Sequence, residues 1–388
     1  MPLPSVHIKR KRLEAIRRRH PWVFSGAIAS RVNVEDGDLV RVLSPDGEFL
    51  AVGYFHDGSI AVRILSFKDR NIDLAFWRER IAVALGSRKR LGLPSRSNNA
   101  FRLIHGEGDG IPGLIIDIYD KTAVIQCHTK GIFLHISEIA NALSEELDFI
   151  DAIYNKSAAL LDDSEVEDGF IRGKSDEISI LENGLSFMVD IESGQKTGFF
   201  LDQRDNRQLV GSLASGRHVL NLYAYTGGFS IYALKGEAAE VVSVDISKTA
   251  VEIMKQNVEL NQCAECHVGL VKNVHQYLKE VQKDHFDMII LDPPAFAKSR
   301  RKRHNAVQAY KRINLAAMEK IRPGGLIFTF SCSQVVDAEL FYNTITSAAI
   351  ESGRRARVLY RLSQGADHPV SLFHPEGEYL KGLVVQIE

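Results

Sequence analysis

Residues 286–296, Phe-Asp-Met-Ile-Ile-Leu-Asp-Pro-Pro-Ala-Phe, decide the fold of this chain. Met288, Ile289, Ile290 and Leu291 form a short apolar run stopped by Asp292-Pro293-Pro294. An uninterrupted apolar run of this length reads as a strand buried on both faces, as in the middle of a parallel sheet. Neither proline can continue a ladder, so the backbone at 292–294 is stiff and extended. Asp292 at the carboxyl end of such a strand, followed by rigid chain and Phe296, faces the crevice where open α/β sheets bind ligands.

Working outward, strands alternate with helices from Gln195 onward. Strands are expected at 217–223, 240–245, 267–271, 288–291 and 326–330. Helices are expected at 230–234, 248–259, from Val274, and at 306–320, with Ser247 as an N-cap. Pro323-Gly324-Gly325 closes the last of these helices, and the last strand ends on Ser331-Cys332-Ser333. This alternation is that of a doubly wound, Rossmann-like α/β sheet.

The chain before it differs in period. Residues 1–70 read as short strands after a basic lead, a small all-β barrel that either binds nucleic acid or caps the rest. Leu74, Trp77, Ile81 and Leu85 recur at helical spacing, so 71–94 is a linker helix with Trp77 in the core and Arg78, Arg80, Arg88, Lys89 and Arg90 as polar companions. Residues 95–190 form an α+β unit, with hairpins expected across Asp120-Lys121 and Asn183-Gly184 and a helix over 133–147. His105 reads as a hydrogen-bonded loop histidine. The remainder, 191–388, holds the doubly wound sheet.

The chain has 388 residues, 45% apolar and 25% charged, with a formal net charge of −1. That total gives no global pointer to a polyanionic partner, but the charge is unevenly placed. Lys9, Arg10, Lys11 and Arg12 lie in one basic stretch. Lys298, Arg300, Arg301, Lys302 and Arg303 lie in another, just after the Asp-Pro-Pro strand, and residues 162–168 hold five acids. Both basic stretches are expected to meet phosphates. Four cysteines are too few for a disulfide framework in a chain of this size, so a reducing, cytoplasmic setting is expected. Cys263 and Cys266 form a lone pair without a second pair of ligands, and no metal is expected. No run is apolar and long enough to suggest a leader or a membrane span.

Three strand ends converge on one edge of the expected sheet. Gly227-Gly228 lets the backbone approach a ligand at the start of a helix. It is not a dinucleotide fingerprint, because Tyr223 and Tyr225 stand where glycines would be. Asp245, at the end of the next strand, is placed to accept from ribose hydroxyls. A nucleoside without a diphosphate fits this pair, which makes S-adenosylmethionine the candidate; a flavodoxin-like sheet with an incidental acid is the alternative. Cys332 leaves the core between two serines at the same edge as Asp292, a position that suits a nucleophile. The chemistry that requires such a thiol is methylation at a pyrimidine C5. Addition of the thiolate to C6 makes C5 nucleophilic, and a carboxyl group near N3, here Asp292, stabilises the developing charge. The base that removes the C5 proton is left unassigned, because residue 295 is alanine rather than a second cysteine.

The chain resembles the RlmI-like family of large-subunit ribosomal RNA cytosine-5 methyltransferases. The likeness runs nearly end to end, through residues 20–26 (HPWVFSG), 102–110 (RLIHGEGDG), 195–204 (QKTGFFLDQR), 220–229 (LNLYAYTGGF), 291–296 (LDPPAF), 331–333 (SCS) and 375–382 (PEGEYLKG). It implies an N-terminal PUA-type RNA-binding barrel, a central α+β domain and a C-terminal class I methyltransferase domain. It also implies S-adenosylmethionine as cofactor and structured RNA, most of all 23S ribosomal RNA, as partner. Around the cofactor it places Lys196, Thr197, Gly198, Phe199, Asp202 and Arg204, the turn residues Asn221, Tyr223, Tyr225, Thr226, Gly227, Gly228 and Phe229, and Asp245, Ile246, Val274 and Asp292. Lys196 or Arg204 would hold the methionine carboxylate. Where the family usually carries an acid that accepts from the adenine amino group, this chain has Asn273. Cys332 is the implied nucleophile. Alternatives stay open: a branch acting on guanine at N7 or N2, in which Cys332 is a bystander, or a non-catalytic RNA-binding assembly factor. The oligomeric state also stays open, a homodimer being one option.

Overall fold

The computed structural model describes residues 3–161, 166–297 and 299–388, with Val32 described by its backbone alone. Lys298 and the acids at 162, 163 and 165 lie outside the described residues. The chain divides into two compact units. The first comprises Met1–Gly184, Val189–Leu201 and Ala366–Gly377; the second comprises Leu185–Met188, Asp202–Gly365 and Glu378–Glu388.

The first unit opens with a six-stranded sheet in the spatial order Trp22–Phe24, Ile60–Ser66, Phe49–Phe55, Leu39–Leu43, Ser5–Ile8, Ile28–Val32. Its inward positions, among them Val6, Ile8, Val40, Val42 and Val62, are fully buried. The basic lead is not irregular. Val6 and Ile8 alternate with polar neighbours and make an internal strand, while Leu13 and Ile16, three apart, anchor a helix over Leu13–Arg17. The linker helix forms over Leu74–Arg90, with the Asp73 carboxylate accepting from Phe76 N at 3.0 Å, and it buries Phe76, Trp77 and Ile81. A five-stranded sheet follows in the order Gly169–Arg172, Ala152–Asn155, Thr122–Cys127, Leu114–Tyr119, Ala100–His105. The helix expected over 133–147 is two helices, Lys130–Phe133 and Ile136–Glu146.

One expectation in this unit is corrected. Arg88 is no exposed companion of the linker helix: its side chain is 1% exposed and pairs in a fork with both oxygens of Asp109, at 2.9 and 2.6 Å. Asp109 also accepts from His105 N, and Glu107 accepts from Trp22 Nε1 at 2.7 Å. The sequence 102–110 is therefore a structural knot. A second buried fork joins Arg102 to Asp117, both contacts at 2.7 Å. Asp117 is fully buried and also accepts from Thr197 Oγ1 at 2.6 Å. Buried charges survive only when paired and hydrogen-bonded, and losing one partner strands the other. Asp117→Ala is accordingly expected to destabilise the protein by about 3–5 kcal/mol, read as a lowered denaturant midpoint in urea unfolding.

The second unit is built on seven strands: β1 (His218–Leu222), β2 (Glu240–Asp245), β3 (His267–Val271), β4 (Met288–Leu291), β5 (Leu326–Ser331), β6 (Ala356–Ser363) and β7 (Lys381–Ile387). Their order is β3-β2-β1-β4-β5-β7-β6, with β1 to β5 parallel and β7 antiparallel to both its neighbours. All four residues of β4 are fully buried, as the apolar run requires. Helices cover the sheet at Gly228–Lys235, Lys248–Leu260, Val274–Glu280, Arg303–Lys320 and Ala338–Ser352. The Ser247 hydroxyl caps the second of these, accepting from Ala250 N at 3.2 Å. Register aligns Leu222 with Leu291 and Leu291 with Thr329, so the chain leaves β1, β4 and β5 at one edge.

A polar chain runs through this sheet from Asn221 Nδ2 to Ser230 Oγ (2.8 Å), Ser243 Oγ (2.7 Å) and His267 Nε2 (2.8 Å). Burial, helped by Lys255, pulls the His267 imidazole down to about 4. The folded state thus keeps this ring neutral where the unfolded chain, near its ordinary value of about 6.5, takes up a proton. The contribution of His267 to stability is whole above about pH 6.5 and declines as pH falls toward 4. Urea midpoints measured at pH 7.5 and pH 5 should converge in His267→Gln relative to the parent.

Candidate active site

The turn after β1 has an unusual backbone. Tyr223, Tyr225 and Gly227 all have positive φ, at 59°, 48° and 85°. Such angles suit glycine and cost a bulky residue of order 1–3 kcal/mol each, a cost that is concentrated at functional sites. The tyrosines that argue against a glycine fingerprint thus reproduce its shape. A Cβ on Gly227 would stand 2.6 Å from Met254 Cγ, so only glycine fits there. Asp245 ties the turn to β2: one oxygen accepts from Tyr225 N and the other from Ser247 N, both at 2.9 Å. Burial pushes the Tyr223 phenol up to about 12, so it is a neutral hydroxyl. Ile246, beside Asp245, is 71% exposed and offers an apolar face at the crevice.

Other expected cofactor residues lie beneath this surface. Asn221 is 1% exposed and bonded to Ser230; Thr226 and Phe229 are buried, the latter against Phe330 with ring centroids 5.5 Å apart. Gly228 sits over Arg207, whose Cδ would be 3.0 Å from an added Cβ. Val274 is buried. Asn273 caps the helix Val274–Glu280: its Oδ1 accepts from His275 N at 3.0 Å and Gln276 N at 3.2 Å. The residue at the position where the family usually carries an acid thus also serves as a helix cap.

Around β4 and β5 the geometry is tighter than the sequence suggested. Asp292 is half-buried and accepts from Gln203 Nε2 at 3.1 Å, and Gln203 is held in turn by Asn206 Nδ2 at 2.6 Å. Cys332 is half-buried. Its neighbour Ser333 donates to Ala297 O at 2.8 Å, which ties the loop after β5 to the Asp-Pro-Pro loop. The buried Tyr310 ring packs edge-on against Phe296 at 4.7 Å. Burial raises its phenol, and the neighbouring Cys332 and Asp292 raise it further. Asp202 accepts from Tyr379 OH at 2.6 Å, and Arg204 is buried. Gln203, Tyr310, Tyr379 and Lys381 were not singled out from the sequence; three of them fall inside motifs that were, at 195–204 and 375–382.

Lys196, Thr197, Gly198 and Phe199 belong to the first unit. There Thr197 and Phe199 are buried against Asp117 and Tyr119, while Lys196 is exposed with its Nζ 4.4 Å from the Phe200 ring centre. The lead cations of that unit have mixed placements. Lys9 donates to Gly26 O and Arg10 pairs with Asp46. Lys11 and Arg12, with Arg18, His20, Leu372 and Phe373, line a hollow of about 740 Å³. In the second unit, Arg300–Lys302 is a 3₁₀ turn and Arg303 opens the helix Arg303–Lys320, which carries no acid in its first turn. Among the described residues Arg300, Arg301, Lys302 and Arg303 make no ion pair, and cations at a helix N-terminus oppose its dipole. His218 and Glu240, the first residues of β1 and β2, and His285, in the loop before β4, also bring three ligand-type atoms within 4.8 Å of one another.

The strained β1 turn, the Asp245 carboxylate tied to it and the exposed Ile246 thus lie together at the ends of β1 and β2. Residues 162–359 match the profile of S-adenosylmethionine-dependent methyltransferases, and residues 6–67 that of PUA-like domains. Ribosomal RNA large subunit methyltransferase I of Alteromonas mediterranea is 39% identical, over 99% of this chain and 98% of its own. The protein of the same name from Aeromonas salmonicida is 41% identical, over 98% of each. Among solved structures, SMU.776 complexed with SAH superposes with a TM-score of 0.86 at 23% identity, over 98% of this chain and 99% of that one. No described helix is long and apolar enough to cross a membrane. The chain belongs to the S-adenosylmethionine-dependent methyltransferases, in the family of ribosomal RNA large subunit methyltransferase I.

Proposed function

We propose that this protein makes 5-methylcytosine in large-subunit ribosomal RNA, 23S in bacteria, with Cys332 as nucleophile and Asp292 as the group that meets the base. The observation that carries the reading is the placement of Cys332 and Asp292 at neighbouring strand ends whose loops are tied by the Ser333–Ala297 hydrogen bond. The names of the relatives support the substrate class. Bound S-adenosylmethionine supplies an electrophilic methyl group. Asp245, Ile246 and the β1 turn would hold its nucleoside, and Arg204 its carboxylate. The Cys332 thiolate would add to C6 while the Asp292 carboxyl group, in its protonated form, gives its proton to N3, so that the negative charge of the addition is neutralised and C5 becomes an enamine carbon able to take the methyl group as the sulfonium S–CH3 bond breaks. Residues 1–70 would act as the RNA-binding module, 71–94 as linker, 95–190 as central domain and 191–388 as catalytic domain. The substrate implies a cytoplasmic location.

Methyl transfer to ribosomal RNA read by nucleoside mass spectrometry tests this. Cys332→Ala should fall to the no-enzyme background, and Asp292→Asn should lose about 10²-fold in rate. Undiminished 5-methylcytosine from Cys332→Ala, or methylguanosine as the product, would overturn the thiol mechanism.

The exposed cations Arg300, Arg301, Lys302 and Arg303 would contact phosphates, as would Lys11 and Arg12 on the first unit. Replacing the four residues 300–303 by alanine should weaken RNA binding and flatten the logarithmic salt dependence by about 0.7–0.9 for each phosphate that is no longer neutralised. Unchanged affinity and slope would remove this surface from the interface. A homodimer would form most readily along β6, an edge strand with Val358, Leu359 and Tyr360 all exposed; sedimentation velocity of Val358→Lys beside the parent checks it.

A further inference from the structure

β7 runs antiparallel to β5, and its first residue, Lys381, is paired with Ser331. That register sets the lysine at the end of β5, where the chain continues into Cys332 and Ser333. Its Nζ donates to Ser333 O at 2.7 Å and to Tyr379 O at 2.8 Å. Lys381 is 6% exposed, and among the described residues it forms no ion pair with a carboxylate. A buried lysine held by two backbone carbonyls is unusual, because an ammonium has three protons to place and a charge to neutralise. A neutral amine is satisfied by the same two carbonyls and keeps its lone pair. The charged and titratable groups that face it are Cys332, Asp337 at the start of the helix Ala338–Ser352, and Glu378 before β7; Tyr310 in turn neighbours Cys332 and Asp292.

We propose that Lys381 is the positioning residue that keeps Cys332 as a thiolate. The amine lone pair takes the thiol proton: the S–H bond breaks, an N–H bond forms, and the electron pair stays on sulfur. The resulting ammonium places two protons on the Ser333 and Tyr379 carbonyls and turns the third toward the thiolate. When the C6–S bond breaks at the end of turnover, the thiolate returns to the same counter-charge. Burial draws the lysine down to about 8, with Cys332 as the largest opposing influence. An amine poised there exchanges a proton with a thiol near neutrality. The inference rests on Cys332 being the nucleophile, but its test does not require turnover.

The test is the pH profile of alkylation of Cys332 by iodoacetamide, followed on its own peptide by mass spectrometry in the full-length protein. The parent should show an inflection at least one unit below the ordinary thiol value of about 8.5. Lys381→Met should move the inflection up to or above that value and slow alkylation at pH 7 by about tenfold or more. Lys381→Arg, which keeps a permanent positive charge, should retain a low inflection. Circular dichroism and S-adenosylmethionine binding report whether each variant is folded. A parent inflection at or above the ordinary value overturns the proposal without any variant, and so does an unmoved inflection in folded Lys381→Met. If Lys381→Met shifts the profile while Cys332→Ala still forms 5-methylcytosine, the pairing stands and the nucleophile assignment fails. If Cys332→Ala is inactive and the profile does not move, only the present inference fails.

Discussion

A strand buried on both faces and built only of apolar side chains offers no polar side chain along its length, so any chemistry it supports must sit where it ends. β4 is such a strand, with β1 on one side and β5 on the other, and its four residues have no exposure. Parallel pairing then sends the chain out of β1, β4 and β5 at a common edge. The two prolines after Asp292 deny that acid the freedom of an ordinary loop. The strained turn after β1 and the thiol after β5 thus inherit their positions from the burial of β4.

The first unit meets a different constraint. It encloses two arginine–carboxylate forks, Arg88 with Asp109 and Arg102 with Asp117, where hydrocarbon would fill the same space. Buried pairs of this kind add little net stability over apolar replacements, but they tolerate few geometries. Each also recruits backbone or hydroxyl donors: His105 N for Asp109, Thr197 Oγ1 for Asp117. They make the loop at 105–110 and the segment at 197–199 definite in shape rather than merely covered.

Much of this could be read in the sequence wherever the signal is local. The strands Glu240–Asp245 and His267–Val271, the Ser247 cap and the crevice position of Asp292 all follow from short-range patterns. What escaped needed a partner far along the chain. Arg88 looks like a surface cation until Asp109 is beside it, and Lys381 looks like a strand-end lysine until antiparallel pairing sets it on Ser333. The cluster of His218, Glu240 and His285 joins two strands and a loop and leaves no trace in any window of sequence. The capping role of Asn273 was likewise missed, because the residue was set only against the acid that the family usually carries there. Ser5–Ile8 was lost because four residues among cations give too short an alternation to stand out.

The backbone at Tyr223 and Tyr225 bears on which substitutions this turn can accept. Each residue holds a left-handed conformation that glycine would adopt without strain. Glycine at either position would relieve local energy and keep the path of the chain. With tyrosine at both positions the turn carries about 1–3 kcal/mol of backbone strain per residue, while Asp245 holds the Tyr225 amide whatever side chain that residue bears.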